Sequence, residues 1–242
     1  MTRSTAVSVL RGGAVLGSTL AAANLLPSFA TITPLRRTFL PRLAGISGRA
    51  HIALTFDDGP DRRTTPKFLD LLAAHDVRAT FFLLAAHVRS ERMLVREMAA
   101  AGHELAVHGW EHHCLALRSP GGLVNDLLRS REVIEDETGM GVRWYRPPYG
   151  VLTGEGLHAA RKTGLQTVLW SSWGVDWSRN ATPAAIVGTV SRSAFPGGTV
   201  LLHDTDRTAA PGSWQRTLGA TGLLLERWSG TDVLVGPLRE HW

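Results

Sequence analysis

The 242-residue chain contains a single cysteine, Cys114. An intramolecular disulfide is therefore excluded, and so is a cysteine-rich metal centre. Any metal must be held by histidine and carboxylate. Export stays open, because exported proteins do not require disulfides. Lysine is nearly absent: of 26 basic residues 24 are arginine, which reads as genome composition rather than function. Acidic residues are missing altogether from the first fifty positions. Those positions hold Arg3, Arg11, Arg36, Arg37, Arg42 and Arg49, a charge of +6, whereas residues 51–242 carry 20 basic and 21 acidic residues, a charge of −1. The body thus lacks the basic excess of a nucleic-acid-binding domain. There is no fixed-period repeat and no glycine-rich phosphate loop. With 44% hydrophobic and 19% charged residues, disorder throughout is excluded as well.

Residues 12–30 carry no charge and follow Arg3 and Arg11. Gly, Ser, Thr, Asn and Pro dilute the stretch, which makes it a weak spanning helix. Small residues at Ser28 and Ala30 fit a signal-peptidase site, so an export signal over residues 1–30 is expected. An uncleaved anchor and a plain cytoplasmic extension are the alternatives. Residues 31–47, with Pro34, Pro41 and several arginines, read as a linker. The domain proper is expected over 48–242.

From residue 51 apolar runs alternate with helical patterns. Strands are expected at 51–57, 78–84, 103–107, 142–146, 166–170, 198–203 and 232–235. Helices are expected at about 65–75, 91–101, 122–137, 155–163, 183–194 and 213–228, several with Thr-Pro starts or glycine stops. Short strands alternating with helices imply right-handed βαβ units and a parallel sheet. Seven repeats suit a nearly closed α/β barrel of about seven parallel strands, with an open doubly wound sheet as the alternative.

In such barrels the site collects at the C-terminal ends of the strands, and the unusual polar residues fall there. The first strand ends in Asp57-Asp58. The third runs into His108 and His112, the fourth ends in Arg146-Pro-Pro148-Tyr149-Gly150, the fifth leads to Asp176-Trp177, and the sixth ends in His203-Asp204. Adjacent buried carboxylates repel, so Asp57 and Asp58 need a cation or a shared proton; otherwise they mark a turn before Gly59-Pro60. His108 and His112, four apart, can face one ion, and Asp58 would complete a His-His-Asp set with an open position, the arrangement of a catalytic zinc-type site. His113 is read as a non-ligand. His203 is either a hydrogen-bonded core residue or a general acid, with Asp176 able to orient it. Arg146 fits an ion pair with Asp57. Trp110, Tyr149, Trp170, Trp173 and Trp177 cluster on the same loops and suit sugar faces, whereas Trp144 and Trp170 also suit the core. His103 and Glu104 brace the strand before His108.

Together these residues resemble the polysaccharide deacetylase family, carbohydrate esterase family four. Its T-F-D-D-G-P motif stands at Thr55 to Pro60. H-[S/T]-x-x-H matches at His108 and His112, with Gly109 where the family usually has Ser or Thr. R-x-P-x-G is Arg146, Pro148 and Gly150; D-W is Asp176-Trp177; L-x-H is Leu201 and His203. All five occur in family order across roughly residues 48–240. The resemblance implies a distorted (β/α) barrel. It implies that Asp58, His108 and His112 bind one divalent metal, usually zinc, with cobalt or manganese as alternatives. By the same resemblance Asp57 is the base, Arg146 pairs with it, and the Tyr149 backbone N–H stabilises the oxyanion. His203, oriented by Asp176, is the acid. Trp177 and Leu201 wall the acetyl pocket, with Pro148 in the same turn as Tyr149. The implied activity is removal of N-acetyl groups from N-acetylglucosamine-containing glycans, of peptidoglycan or chitin type. An O-acetyl esterase and a non-catalytic glycan-binding barrel are the alternatives. The partner is then an acetylated glycan and not a nucleic acid, the protein is expected as an exported or envelope-associated monomer, and membrane contact runs only through an uncleaved N-terminal segment.

Overall fold

The apolar run beginning at His51 forms β1 (His51–Asp57), and all seven of its residues are buried. A strand so uniformly buried must be covered on both faces, as in a parallel sheet wrapped by helices. The computed structural model describes residues 24–117 and 122–242, and there β1 lies at the centre of one sheet. The other strands are β2 (Thr80–Leu83), β3 (Glu104–Val107), β4 (Trp144–Tyr145), β5 (Gln166–Thr167), β6 (Ser172–Trp173), β7 (Thr199–His203) and β8 (Leu234–Gly236). The helices are α1 (Thr33–Phe39), α2 (Thr65–Ala74), α3 (Arg92–Ala100), α4 (Leu123–Thr138), α5 (Gly154–Lys162), α6 (Pro183–Ser193) and α7 (Ser213–Ser229).

Every described strand pairing is parallel, in the order β5-β4-β3-β2-β1-β7-β6, with β8 also on β1. The curled sheet with its surrounding helices is a distorted (β/α) barrel, as expected. It stays open between β5 and β6. The intervening residues are held by other means: Leu169 N donates to Leu43 O at 2.7 Å, and Ser171 N to Thr199 O at 3.1 Å.

The helix starts follow local chemistry. Thr182 accepts from Ala185 N and precedes Pro183 at the first turn of α6, and Thr153 accepts from Gly156 N to open α5. Between sheet and helices lies the main core. Phe56 stacks on Phe81 at 5.2 Å and meets the edge of Phe68 at 5.3 Å. Truncating any one of these to Ala would cost about 3–5 kcal/mol. Near the lower end of the sheet Glu104, as expected, is a brace: its carboxylate accepts from Thr80 Oγ1 (2.7 Å), Trp144 Nε1 (3.0 Å) and Arg239 N (2.9 Å).

The head of the chain carries more regular structure than a linker. Residues 31–47, read as a linker, carry α1 and a turn packed on the body, where Thr199 Oγ1 donates to Gly45 O at 2.7 Å. Most of the expected signal segment, residues 1–23, lies outside the described residues.

Candidate active site

The parallel register of β1 and β7 sets Asp57 directly beside His203. Both strands end there, so base and acid candidates leave the sheet at one rim. Asp58, next in the chain, has φ +78°. This left-handed turn is costly for a non-glycine residue, and it brings a carboxylate that is fully buried under the same rim as Asp57. His108 follows β3, and its N–H donates to Leu83 O at 2.9 Å.

The three expected ligands converge. Asp58 Oδ1 lies 3.3 Å from His108 Nε2 and 3.5 Å from His112 Nε2, and one donor atom from each residue falls within 4.8 Å of the others. Two further observations test whether a cation fits. His108 Nδ1 is 2.8 Å from Arg146 O. A carbonyl can only accept, so Nδ1 carries hydrogen, and the tautomer that this selects turns its Nε2 lone pair toward Asp58 Oδ1. That oxygen is buried and has no hydrogen-bond donor. A lone pair facing an undonated carboxylate oxygen is stable only with a positive charge between them. His112 supports the same conclusion: burial, then neighbouring His108, pushes its pKa down to about 4, so at neutral pH it offers a free lone pair. The donor set fits a divalent metal.

Asp57 is nearly inaccessible and backed by Arg146, which is entirely buried. The guanidinium donates to Asp57 Oδ1 at 2.7 Å and Thr55 Oγ1 at 2.9 Å through Nη1, and to Leu169 O at 2.9 Å through Nη2. Its Cζ lies 3.9 Å from the Phe82 ring centre. Asp57 Oδ2 is left 3.8 Å from His108 Nε2.

On the far side Asp176, fully buried, accepts from His203 N at 2.7 Å and lies 3.0 Å from His203 Nδ1. His203 Nε2 is consequently turned toward Asp58, 3.9 Å from Oδ2. Burial alone would lower the His203 pKa; Asp176 first, then Asp58 and Asp57, outweigh it and raise it to about 10.

Asp57, Asp58, His108, His112, Tyr149, Trp177, Leu201 and His203 all line one cavity of roughly 210 Å³. Arg146 and Asp176 stand behind it. Pro148 is buried in the same turn as Tyr149 and does not line it. Trp170, Trp173 and Trp177 form a row, with ring centres 5.9 Å and 4.9 Å apart. Trp170 thus serves the wall as well as the core. Trp110 does not reach the cavity: it packs on the core beneath the Arg129 guanidinium, 4.1 Å away. His113 turns outward to Glu111 at 3.5 Å.

Gly109 has φ +106°, a region that side-chain-bearing residues avoid. The serine or threonine usual at this place would be strained on this backbone. Two contributors were not foreseen. Thr208 lines the cavity and its hydroxyl donates to Asp58 Oδ2. Thr217 donates to Asp176 Oδ2 at 3.0 Å. Neither sits in a motif, and a lone threonine in a loop or helix gives no signal before the fold is known.

Comparison with known proteins agrees with this geometry. The polysaccharide deacetylase family model matches residues 45–168. A peptidoglycan-N-acetylglucosamine deacetylase of Bacillus cereus is 35% identical over 162 residues, 67% of this chain and 58% of that protein. A chitooligosaccharide deacetylase of a Bradyrhizobium species is 38% identical over 160 residues, 66% of this chain and 73% of that protein. A solved structure of a peptidoglycan N-acetylglucosamine deacetylase superposes with a TM-score of 0.76 at 29% identity, covering 85% of this chain and 95% of the other. The chain belongs to the polysaccharide deacetylase family.

Proposed function

We propose that the protein is a metal-dependent hydrolase that removes N-acetyl groups from N-acetylglucosamine-containing glycans of peptidoglycan or chitin type. The observation that carries this reading is the convergence, in one cavity, of the Asp58–His108–His112 donor set with Asp57 on one side and His203 on the other. The activities named for the matched relatives support the substrate class. A divalent ion held by Asp58, His108 and His112, zinc by donor preference, would supply Lewis acidity to the carbonyl and acidify water near pH 7.

The protein's own groups supply the rest. Asp57 accepts the proton of the attacking water. Arg146 occupies Oδ1 and fixes the carboxylate, so Oδ2 faces the cavity. Asp176 accepts the Nδ1–H of His203 and, with Asp58 and Asp57, keeps the ring doubly protonated, which leaves a proton on Nε2. His203 passes that proton to the departing nitrogen, which leaves as an amine while the acyl carbon leaves as acetate. Base and acid contribute about 10²–10⁴-fold each. Trp177 and Leu201 wall the space where the methyl group sits, and Tyr149 at the mouth has an exposed ring for a sugar. The protein works, in this reading, in the cell envelope.

Acetate release from N-acetylglucosamine oligomers and from peptidoglycan tests the proposal. Release from either supports it. Release only from O-acetylated xylan would replace it with an esterase, and release from none of these by the metal-loaded protein would overturn it.

A further inference from the structure

The arginine-rich head of the chain has two faces, and only one is accounted for by the fold. The inner face is locked to the catalytic body. Asn24 Oδ1 accepts from Glu155 N at 2.9 Å, at the start of α5, and Ser28 Oγ donates to Leu152 O at 2.7 Å. Arg36, 1% exposed, donates to Ala30 O and, at 2.8 Å, to Trp170 O, with its guanidinium 5.0 Å from the Trp170 ring centre. Ala30 packs with Leu152, Leu169, Trp170 and Leu201. Trp170 and Leu201 line the catalytic cavity, so this arm forms the back of the cavity wall.

The outer face is apolar and bare. Leu26, Phe29, Ile32, Leu35, Phe39 and Leu40 are exposed, Phe29 by 64% and Phe39 by 73%. Of the fourteen large apolar residues exposed among the described residues, seven lie between 25 and 40. Singly scattered exposed side chains need no explanation, but a cluster of this density marks an interaction surface. In the sequence Arg37, Arg42 and Arg49 flank it and no acidic residue occurs before residue 51. Upstream, residues 12–23 are uncharged. Among the described residues no helix is long and apolar enough to cross a membrane.

We propose that residues 25–40 form a membrane-surface arm. Its apolar outer face rests in the boundary between headgroups and acyl chains of an anionic bilayer, and it stays attached to the working protein. Leu and Phe on one side with arginine at the margins is the composition of an interfacial segment. A second copy of the chain fits less well, because a two-fold interface through residues 25–40 would set the segment's arginines against one another with no acid within the segment to neutralise them. Anionic headgroups complement the same charges. Retention follows from the inner face: cleavage after Ala30 would remove the contacts of Asn24 and Ser28 and strip the buried Arg36 of one acceptor. Because the arm backs the cavity wall, membrane seating holds the cavity beside the bilayer and directs the reaction proposed above toward glycan near the membrane.

Flotation of the full chain with phosphatidylcholine vesicles, with and without phosphatidylglycerol, tests the arm without any activity readout, so its failure is separate from failure of the deacetylase reading. The parent is expected to float with the anionic vesicles, and less so as salt rises. The triple variant L26S/F29S/F39S, altered only at exposed positions, is expected to lose binding by at least about tenfold while keeping the parent's melting temperature and acetate release. Equal flotation of variant and parent would overturn the proposal by assigning the binding to residues 1–23. A parent that stays in solution, whether monomeric or dimeric by light scattering, would also overturn it. So would an intact mass showing that the chain recovered from membranes begins after Ala30.

Discussion

Replacing Arg146 by methionine should unfold the protein more easily by an amount that depends on whether Asp57 keeps its charge. The side chain is wholly buried and makes its strongest contact with Asp57 Oδ1 at 2.7 Å, while also serving Thr55 Oγ1 and Leu169 O. In Arg146→Met the stem volume is retained, but Asp57 is left as a buried anion with no partner. Breaking a buried pair this way costs about 3–5 kcal/mol. If Asp57 is first made neutral as Asp57→Asn, the same Arg146→Met change strands only uncharged acceptors, at about 1–3 kcal/mol. The difference, about 2 kcal/mol, is the coupling in a double-mutant cycle. Urea unfolding of the four proteins at one pH, with equal m-values, measures it. Additivity within about 0.5 kcal/mol would refute the reasoning, since it would mean that Arg146 supports the fold through its carbonyl contacts and Phe82 alone.

Asp57→Asn is expected to lower turnover by about 10²–10⁴-fold while leaving bound metal unchanged by elemental analysis, because the proposed mechanism uses Asp57 as the base and not as a ligand. His108→Ala should lose metal and activity together; full metal occupancy would remove His108 from the ligand set. Asp176→Asn should lower kcat by about tenfold or more with KM little changed, because His203 would lose its orienting charge. A second group of histidines governs acid stability. Burial first, then nearby positive charge, pushes His51 and His103 down to about 4, so both are neutral in the fold and titrate near 6.5 when unfolded. Their contribution is whole above pH 6.5 and is lost as pH falls toward 4, on the order of 1–2 kcal/mol each after allowance for solvent. In His103→Asn the fall in melting temperature between pH 6.5 and 4 should be shallower than in the parent.

Much of this arrangement was legible in the sequence because the barrel works through local patterns. β1 coincides with its apolar run, and Thr182-Pro183 begins α6 where the capping rule places it. The site residues could be read from their position at strand ends and from the motifs they compose. What escaped depends on contacts distant in sequence. β6 is two residues long and sits in a tryptophan–serine stretch with no strand period of its own. The head of the chain read as a linker because prolines and arginines ordinarily mark solvated chain. Arg36 is buried instead through backbone carbonyls at Ala30 and Trp170, 134 positions away in the second case. Thr208 reaches Asp58 across 150 positions. Gly109 was legible as a departure from the motif, but its reason, a positive φ, is visible only in the backbone.

The central claim is that the Asp58–His108–His112 set holds a metal on which the hydrolysis depends. Its most direct test is acetate release from N-acetylglucosamine oligomers by one preparation, first metal-loaded, then stripped by chelator, then given back a single equivalent of zinc. Loss of release on stripping and its return with zinc is the expected result. Release that persists when elemental analysis finds no metal would contradict the account.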